Sequence, residues 1–139
     1  MQPVVDALSL AGPGHSPDGP EPFDMGPGRQ WFSVKGVTED NRLARVAAEL
    51  PALTPLVEAF GDPRGSLLIG FSQGAIMALH AVAAGLSAAG IIARSGRLAG
   101  PVGPRNDFPP ITLRHGANDP VIHLSAARAT EAWLNDAGR

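Results

Sequence analysis

The stretch Ser66-Leu67-Leu68-Ile69-Gly70-Phe71-Ser72-Gln73-Gly74-Ala75-Ile76-Met77-Ala78-Leu79-His80 decides the fold. Its first part, Ser66–Phe71, is a short apolar run of strand type. From Gln73 to Ala84 the chain is apolar over a helical length and stops before Gly85. Between them, Gly70-Phe71-Ser72-Gln73-Gly74 fits G-x-S-x-G. The pattern alone is common, and as an ordinary strand–helix turn it carries no chemistry. A strand before it and a helix after it are the context that gives it meaning. Such a turn puts Ser72 on a sharp, strained corner, with the flanking glycines letting strand and helix approach. The first N–H groups of the helix, unpaired within it, point at the same spot. Ser72 is therefore the candidate nucleophile, and the N–H of Gln73 a candidate oxyanion donor.

Working outward, no Asp, Glu, Lys or Arg occurs from Gly65 to Ala93. A hydropathy window would flag this stretch as a membrane span. Gly70, Ser72, Gln73, Gly74, Gly85 and Gly90 interrupt it, so it reads as strand, turn, helix and strand in a sheet covered on both faces. Ala89–Arg94 is a second strand and Ile111–His115 a third. Ser125–Asp136 is a closing helix with Ala126, Ala129, Trp133 and, just past its end, Ala137 on one face. Upstream, Thr38 can cap a helix, with Glu39 and Asp40 favourable at its start. Leu43, Val46, Leu50, Leu53, Val57 and Phe60 follow at helical spacing. Pro51 and Pro55 are predicted to kink or divide this helix near Leu50. Val4–Leu10 is a further strand candidate. Between it and Gln30-Trp31-Phe32 lies a Gly/Pro-rich segment, 11–29, read as an ordered loop rather than a linker. Strands alternating with helices predict an α/β fold with a mostly parallel sheet and helices on both faces.

The 139 residues suffice for a single domain, 1–139. A net charge of −2 gives no case for a nucleic-acid partner. The absence of cysteine excludes a disulfide framework or thiolate metal site. Gly65–Gly74 lacks both the dinucleotide fingerprint and the P-loop ending. Met1–Leu10 does not read as a signal peptide, so a cytoplasmic location is expected.

A second motif follows the third strand: His115-Gly116-Ala117-Asn118-Asp119-Pro120-Val121. A carboxylate there lies at the C-terminal edge of the sheet, where open α/β sheets place their sites. Ser72 before Asp119 is also the chain order of α/β-hydrolase triads, with histidine last. The plainer alternative makes Asp119 the cap of the final helix, with Pro120 at its first position.

Gly70–Ala75 (GFSQGA), His115–Val121 (HGANDPV) and Arg29-Gln30-Trp31-Phe32 preceded by Pro20-Glu21-Pro22 together resemble the phospholipase/carboxylesterase family. The resemblance implies an α/β-hydrolase acting on small-molecule or lipid esters or thioesters. It implies Ser72 as nucleophile, Gln73 as oxyanion donor, Asp119 as triad acid and Trp31 near the acyl pocket. No metal or cofactor is implied, and no integral membrane segment. Two family pieces have no counterpart. One is a first strand ending in His-Gly, which supplies the second oxyanion donor. The other is a last strand and Gly-His loop carrying the triad histidine. The expectation is a domain truncated at both ends, whose open strand edges favour self-association.

None of the four histidines is a good substitute. His80 lies eight residues after Ser72 on one helix, about 12 Å along its axis. His115 reads as structural within its motif, and His15 and His123 are weak candidates. Without a base a serine hydroxyl is a poor nucleophile, so the chain alone is expected to be nearly inactive.

Overall fold

The computed structural model describes Ala7 and residues 12–138. The strand expected at Val4–Leu10 lies outside the described residues except for Ala7, which is helical and exposed. The Gly/Pro-rich segment is ordered from residue 12 onward and leads into a short antiparallel pair, β1 (Glu21–Pro22) and β2 (Arg29–Gln30). Two polar anchors hold it. Asp24 accepts from the Ser33 hydroxyl and the Val34 N–H, each at 2.8 Å. The Arg29 side chain donates to the Gly19 carbonyl at 3.0 Å.

Helix α1 (Glu39–Glu58) starts as expected. The Thr38 hydroxyl accepts from the Asn41 N–H at 3.3 Å and the Asn41 side chain accepts from the Thr38 N–H at 2.9 Å, a reciprocal cap. The helix is not divided near Leu50: it runs through Pro51 and Pro55 for 20 residues. Each proline costs an intrahelical bond. The burial of Val46 and Leu53 against the rest of the core offsets this.

A 3₁₀ turn (Pro63–Gly65) leads into β3 (Leu67–Phe71), followed by α2 (Gln73–Ala83), β4 (Gly90–Arg94), β5 (Ile111–Arg114) and α3 (Leu124–Ala137). These differ from the sequence-based bounds by a residue or so at their ends. The strands form one parallel sheet in the order β3-β4-β5. In register, Leu68 lies beside Ile91, and Ile91 beside Ile111; Gly70 lies beside Ala93, and Ala93 beside Leu113. Side chains alternate across a strand, so these residues share one face. That face packs on Ala75, Ala78, Leu79 and Val82 of α2 and on Trp133 and Leu134 of α3. Helix α1 and Phe32 cover the far side of α2 through Ile76, Met77 and Ala81. Helix α2 is thus wrapped on both sides, which explains why its sequence is apolar all round.

The other face of the sheet carries Leu67, Ile69 and Phe71, all exposed, with Arg94, Thr112 and Arg114. Among the described residues, the expectation of helices on both faces therefore holds for one of them. The incomplete parallel sheet itself is as expected. In α3 the buried positions are Ala127, Thr130 and Ala137: Ala137 is as expected, whereas Ala127 and Thr130 lie one residue along from the expected Ala126 and Ala129. The shift turns on Thr130, fully buried because its hydroxyl accepts from Leu98 N–H at 2.8 Å and donates to Ala126 carbonyl at 2.9 Å. Among the described residues no helix is long and apolar enough to cross a membrane.

Candidate active site

Ser72 stands between β3 and α2 with φ 50° and ψ −116°. A non-glycine residue so placed costs about 1–3 kcal/mol and persists only where its surroundings enforce it. They do so here from both sides. The Ser72 N–H continues the sheet by donating to the Arg94 carbonyl at 2.9 Å. The Ser72 carbonyl accepts from Ala75 and Ile76 N–H at 3.0 and 3.1 Å and so begins the helix. Gly70 makes the corner possible, because a Cβ there would lie 2.5 Å from the Ala75 backbone. Gly74 plays no such part: a Cβ there meets nothing within 4 Å. Of the two flanking glycines, Gly70 alone is required for the close approach. Ser72 is the N-cap of α2, yet its side chain makes no capping hydrogen bond.

Gln73 has a second connection that its place in the motif does not reveal. Its side-chain oxygen accepts from the Trp31 N–H at 2.7 Å, and its side-chain nitrogen donates to the Phe32 carbonyl at 2.8 Å. This pair of bonds brings the Arg29–Phe32 segment onto the corner. Trp31 itself is half-buried against the α1–α2 cluster.

Asp119 follows β5 on the same C-terminal edge of the sheet. One carboxylate oxygen accepts from Val121 N–H at 2.9 Å and Ile122 N–H at 3.0 Å. The other lies 3.7 Å from His115 Nε2. The Ile122 and Val121 N–H groups hold the Asp119 carboxyl below its ordinary pKa, against the opposing effect of burial and with lesser contributions from Ser95 and His115. Asp119 does not cap the final helix. Its N-cap is His123, and Pro120 lies outside α3.

The end of β4 lies between the Ser72 corner and the end of β5, a part of the candidate site that motif reasoning missed. Ser95 follows β4 with φ 47° and donates its N–H to the Arg114 carbonyl at 2.8 Å. Gly96 packs against the Ser72 corner, where a Cβ would lie 2.4 Å from Ala75 Cβ and 3.3 Å from the Ser72 carbonyl oxygen. A concavity of about 550 Å³ opens at the ends of β4 and β5, lined by Arg94, Ser95, Leu113, Arg114, His115 and Gly116. The signal available in the sequence was the Ser-Gly pair directly after the second strand, at the edge where α/β sheets build sites.

The four histidines lie in four different settings. Buried His80 accepts from the Ala99 N–H through Nε2 at 2.7 Å, and burial lowers its pKa to about 4. His115 is committed through Nε2 to the Ile122 carbonyl at 2.5 Å. His15 stacks on Phe60 at 4.2 Å between ring centroids, on the connection entering β3 from its N-terminal end. His123 is exposed and makes no side-chain cap to α3. Among the described residues no group of three His, Cys, Asp or Glu could hold a metal ion.

A parallel sheet whose strand turns through a strained serine into a buried helix, with a carboxylate loop on the same edge, is the architecture of an α/β-hydrolase. The phospholipase/carboxylesterase family model matches residues 14–139, and the chain belongs to that family. It is 45% identical over 127 residues to Esterase YpfH of Escherichia coli (strain K12), an overlap covering 86% of this chain and 54% of that protein. It also resembles the solved structure of YahD with malic acid, with a TM-score of 0.68 and 24% identity over 79% of this chain and 59% of that one. The chain thus spans between half and two thirds of the length of these two relatives.

Proposed function

We propose that the protein is a serine hydrolase of carboxylic esters or thioesters, of carboxylesterase, lysophospholipase or acyl-thioesterase type. The observation that carries this reading is Ser72. It is held at positive φ on a strand–helix corner with its hydroxyl left out of the cap. Serine is a favoured N-cap residue, so a strained serine that forgoes the capping bond is spending its hydroxyl elsewhere. In the reaction the hydroxyl attacks the substrate carbonyl. The Gln73 N–H, free at the first turn of α2, donates to the oxyanion. An imidazole takes the Ser72 proton and returns it to the leaving group, while Asp119 holds that imidazole in the correct tautomer. Water then releases the acid from the acyl-enzyme. We place the imidazole outside this chain. His80 and His115 have committed ring nitrogens, His15 stacks on Phe60, and nothing aims exposed His123 at Ser72. The Trp31 segment, clasped by Gln73, is proposed to border the acyl group.

The test is chemical rescue. Added imidazole should raise p-nitrophenyl ester hydrolysis by the 139-residue chain above the rate with Ser72→Ala. Equal rates for the two chains at every imidazole concentration would refute the reading. Steady Ser72-dependent turnover without imidazole would instead overturn the placement of the base outside the chain.

We also propose self-association through the edge of β3, which has no strand partner among the described residues, and its exposed Leu67, Ile69 and Phe71. Unpaired strand edges and apolar patches both promote it. A cytoplasmic location and the absence of a nucleic-acid partner complete the proposal, the latter supported by the net charge of −2.

A further inference from the structure

Arg94 and Arg114 are the last residues of β4 and β5, and the register pairs them directly. Side chains alternate along a strand, so both leave the sheet on its open face, away from α2. Neighbouring strands lie about 4.8 Å apart, so the two cationic side chains start side by side. Like charges placed in this way oppose each other and cost stability. Nothing among the described residues offsets that cost. Neither arginine makes an ion pair or a side-chain hydrogen bond there. The exposed residues beside them on that face, Ile69, Phe71 and Thr112, carry no charge. The Asp119 carboxylate, on the loop after β5, faces Val121, Ile122 and His115 instead. The contrast is with Arg42, Arg64, Arg97 and Arg105. Each of these takes a carboxylate, of Glu39, Asp62 or Asp107, at between 2.5 and 3.1 Å.

We propose that Arg94 and Arg114 form a binding site for an oxyanion, the carboxylate or phosphate group of a small organic ligand. Both arginines line the concavity of about 550 Å³ at the ends of β4 and β5, which has room for such a group. It opens at the carboxyl edge of a parallel sheet, where open α/β sheets bind their ligands. A guanidinium presents a planar fork of N–H donors that matches two oxygens of a carboxylate or phosphate. An anion between two of them turns their mutual repulsion into a shared attraction. Phe71 extends the row. It lies in register beside Arg94 and is 59% exposed. An alkyl chain attached to the anion would rest on its ring, so an alkyl phosphate or alkanoate suits the row better than a bare ion. The site stands apart from the hydrolase reading. It uses the Arg94 side chain, whereas Arg94 serves the Ser72 corner through its carbonyl.

The experiment is an NMR titration of the 139-residue chain at constant ionic strength, following the arginine Nε–H signals. The probes are inorganic phosphate, hexyl phosphate, hexanoate and neutral hexanol. Hexyl phosphate and hexanoate should move the Arg94 and Arg114 signals together, and hexanol should move neither. Hexyl phosphate should bind more tightly than inorganic phosphate; the reverse order overturns the place given to Phe71. Arg94→Gln and Arg114→Gln each remove one charge from an exposed position, and thermal melting checks that they fold. Each should weaken hexyl phosphate roughly tenfold, the loss of one charge-assisted hydrogen bond. Arg94→Lys keeps the charge without the fork and should fall between parent and Gln. Arg128→Gln is the control. Arg128 is exposed on α3, has no partner among the described residues, and carries the same charge. Its replacement should leave the affinity unchanged. Equal weakening by Arg128→Gln and Arg94→Gln would reduce the effect to net charge and overturn the site. Arg94 and Arg114 signals that stay still in the parent chain throughout the hexyl phosphate titration overturn it without recourse to any variant.

Discussion

The Gln73 side chain should hold the Trp31–Phe32 segment on the corner, and its removal can be worked through. Two hydrogen bonds join residues 41 and 42 positions apart, at 2.8 and 2.7 Å. Each neutral bond is worth about 0.5–1.5 kcal/mol net, so Gln73→Ala should lose about 1–3 kcal/mol. For a domain of this size that is a fall in Tm of roughly 2–12 °C. The oxyanion N–H belongs to the backbone and survives the change. Gln73→Glu is the sharper perturbation. A carboxylate can still accept from Trp31 N–H, but it faces the Phe32 carbonyl with no proton to give. The fold therefore favours the protonated acid, and the folded pKa rises above the unfolded value of about 4.3. With a raised folded pKa, the acid's contribution is fully present below the unfolded pKa and lost as pH rises through the folded one. The stability gap between Gln73→Glu and the parent should then widen from pH 4.5 to pH 7. Urea unfolding of both chains at each pH measures that gap, and trypsin cleavage after exposed Arg29 reports release of the segment. Gln73→Ala within about 0.3 kcal/mol of the parent, with unchanged cleavage at Arg29, would refute the clasp.

Three further outcomes follow from the same structure. Buried His80 is neutral in the fold, with its pKa at about 4 against an ordinary 6.5, so stability should fall as pH drops through that window by about 3 kcal/mol in urea titrations. His80→Gln should flatten that slope, and an unchanged slope would remove His80 as its source. Gly70→Ala drives a Cβ to 2.5 Å from the Ala75 backbone, where nothing can move cheaply. It should cost more than the roughly 1–3 kcal/mol of ordinary overpacking, and a melting curve near that of the parent would contradict the corner geometry. Ile69→Lys puts a charge on the open face beside the β3 edge. It should shift sedimentation velocity profiles toward monomer, and an unchanged profile would count against self-association through that edge.

The parts legible in the sequence are those that depend on neighbours in the chain. The strand, corner and helix around Ser72 are written in fifteen consecutive residues, and the Thr38 cap in four. The parts that were not legible depend on partners far along the chain. Thr130 is buried because of Leu98, 32 residues away, and no apolar periodicity can record a buried hydroxyl. The two prolines of α1 argued for a break that local propensity favours, but packing against α2 overrides that preference. The β1–β2 pair is two residues on each side and held by side chains from neighbouring turns, too short for a pattern of alternation. Ser95 is the instructive case. Its N–H reaches the Arg114 carbonyl, 19 positions later, and its strain lies in a backbone angle that sequence does not display.

That strain suggests how the site is assembled. Two adjacent parallel strands, β3 and β4, each end in a serine at positive φ, and each serine passes its N–H to the next strand's last residue, Ser72 to Arg94 and Ser95 to Arg114. The sheet thereby extends its hydrogen-bond ladder one step beyond its regular strands while turning the side chains out of the pleat. The Ser72 hydroxyl is left without a capping bond. A loop could present the same groups, but a loop opens at little cost in free energy. Here the groups ride on the ladder of a parallel sheet, and the stretch after the second serine is tied to all three long helices. Loosening the Ser72 corner therefore requires breaking the ladder bonds to Arg94 and Arg114 or freeing the stretch after Ser95 from the helices, so the corner is held by the domain around it and not by any single side chain.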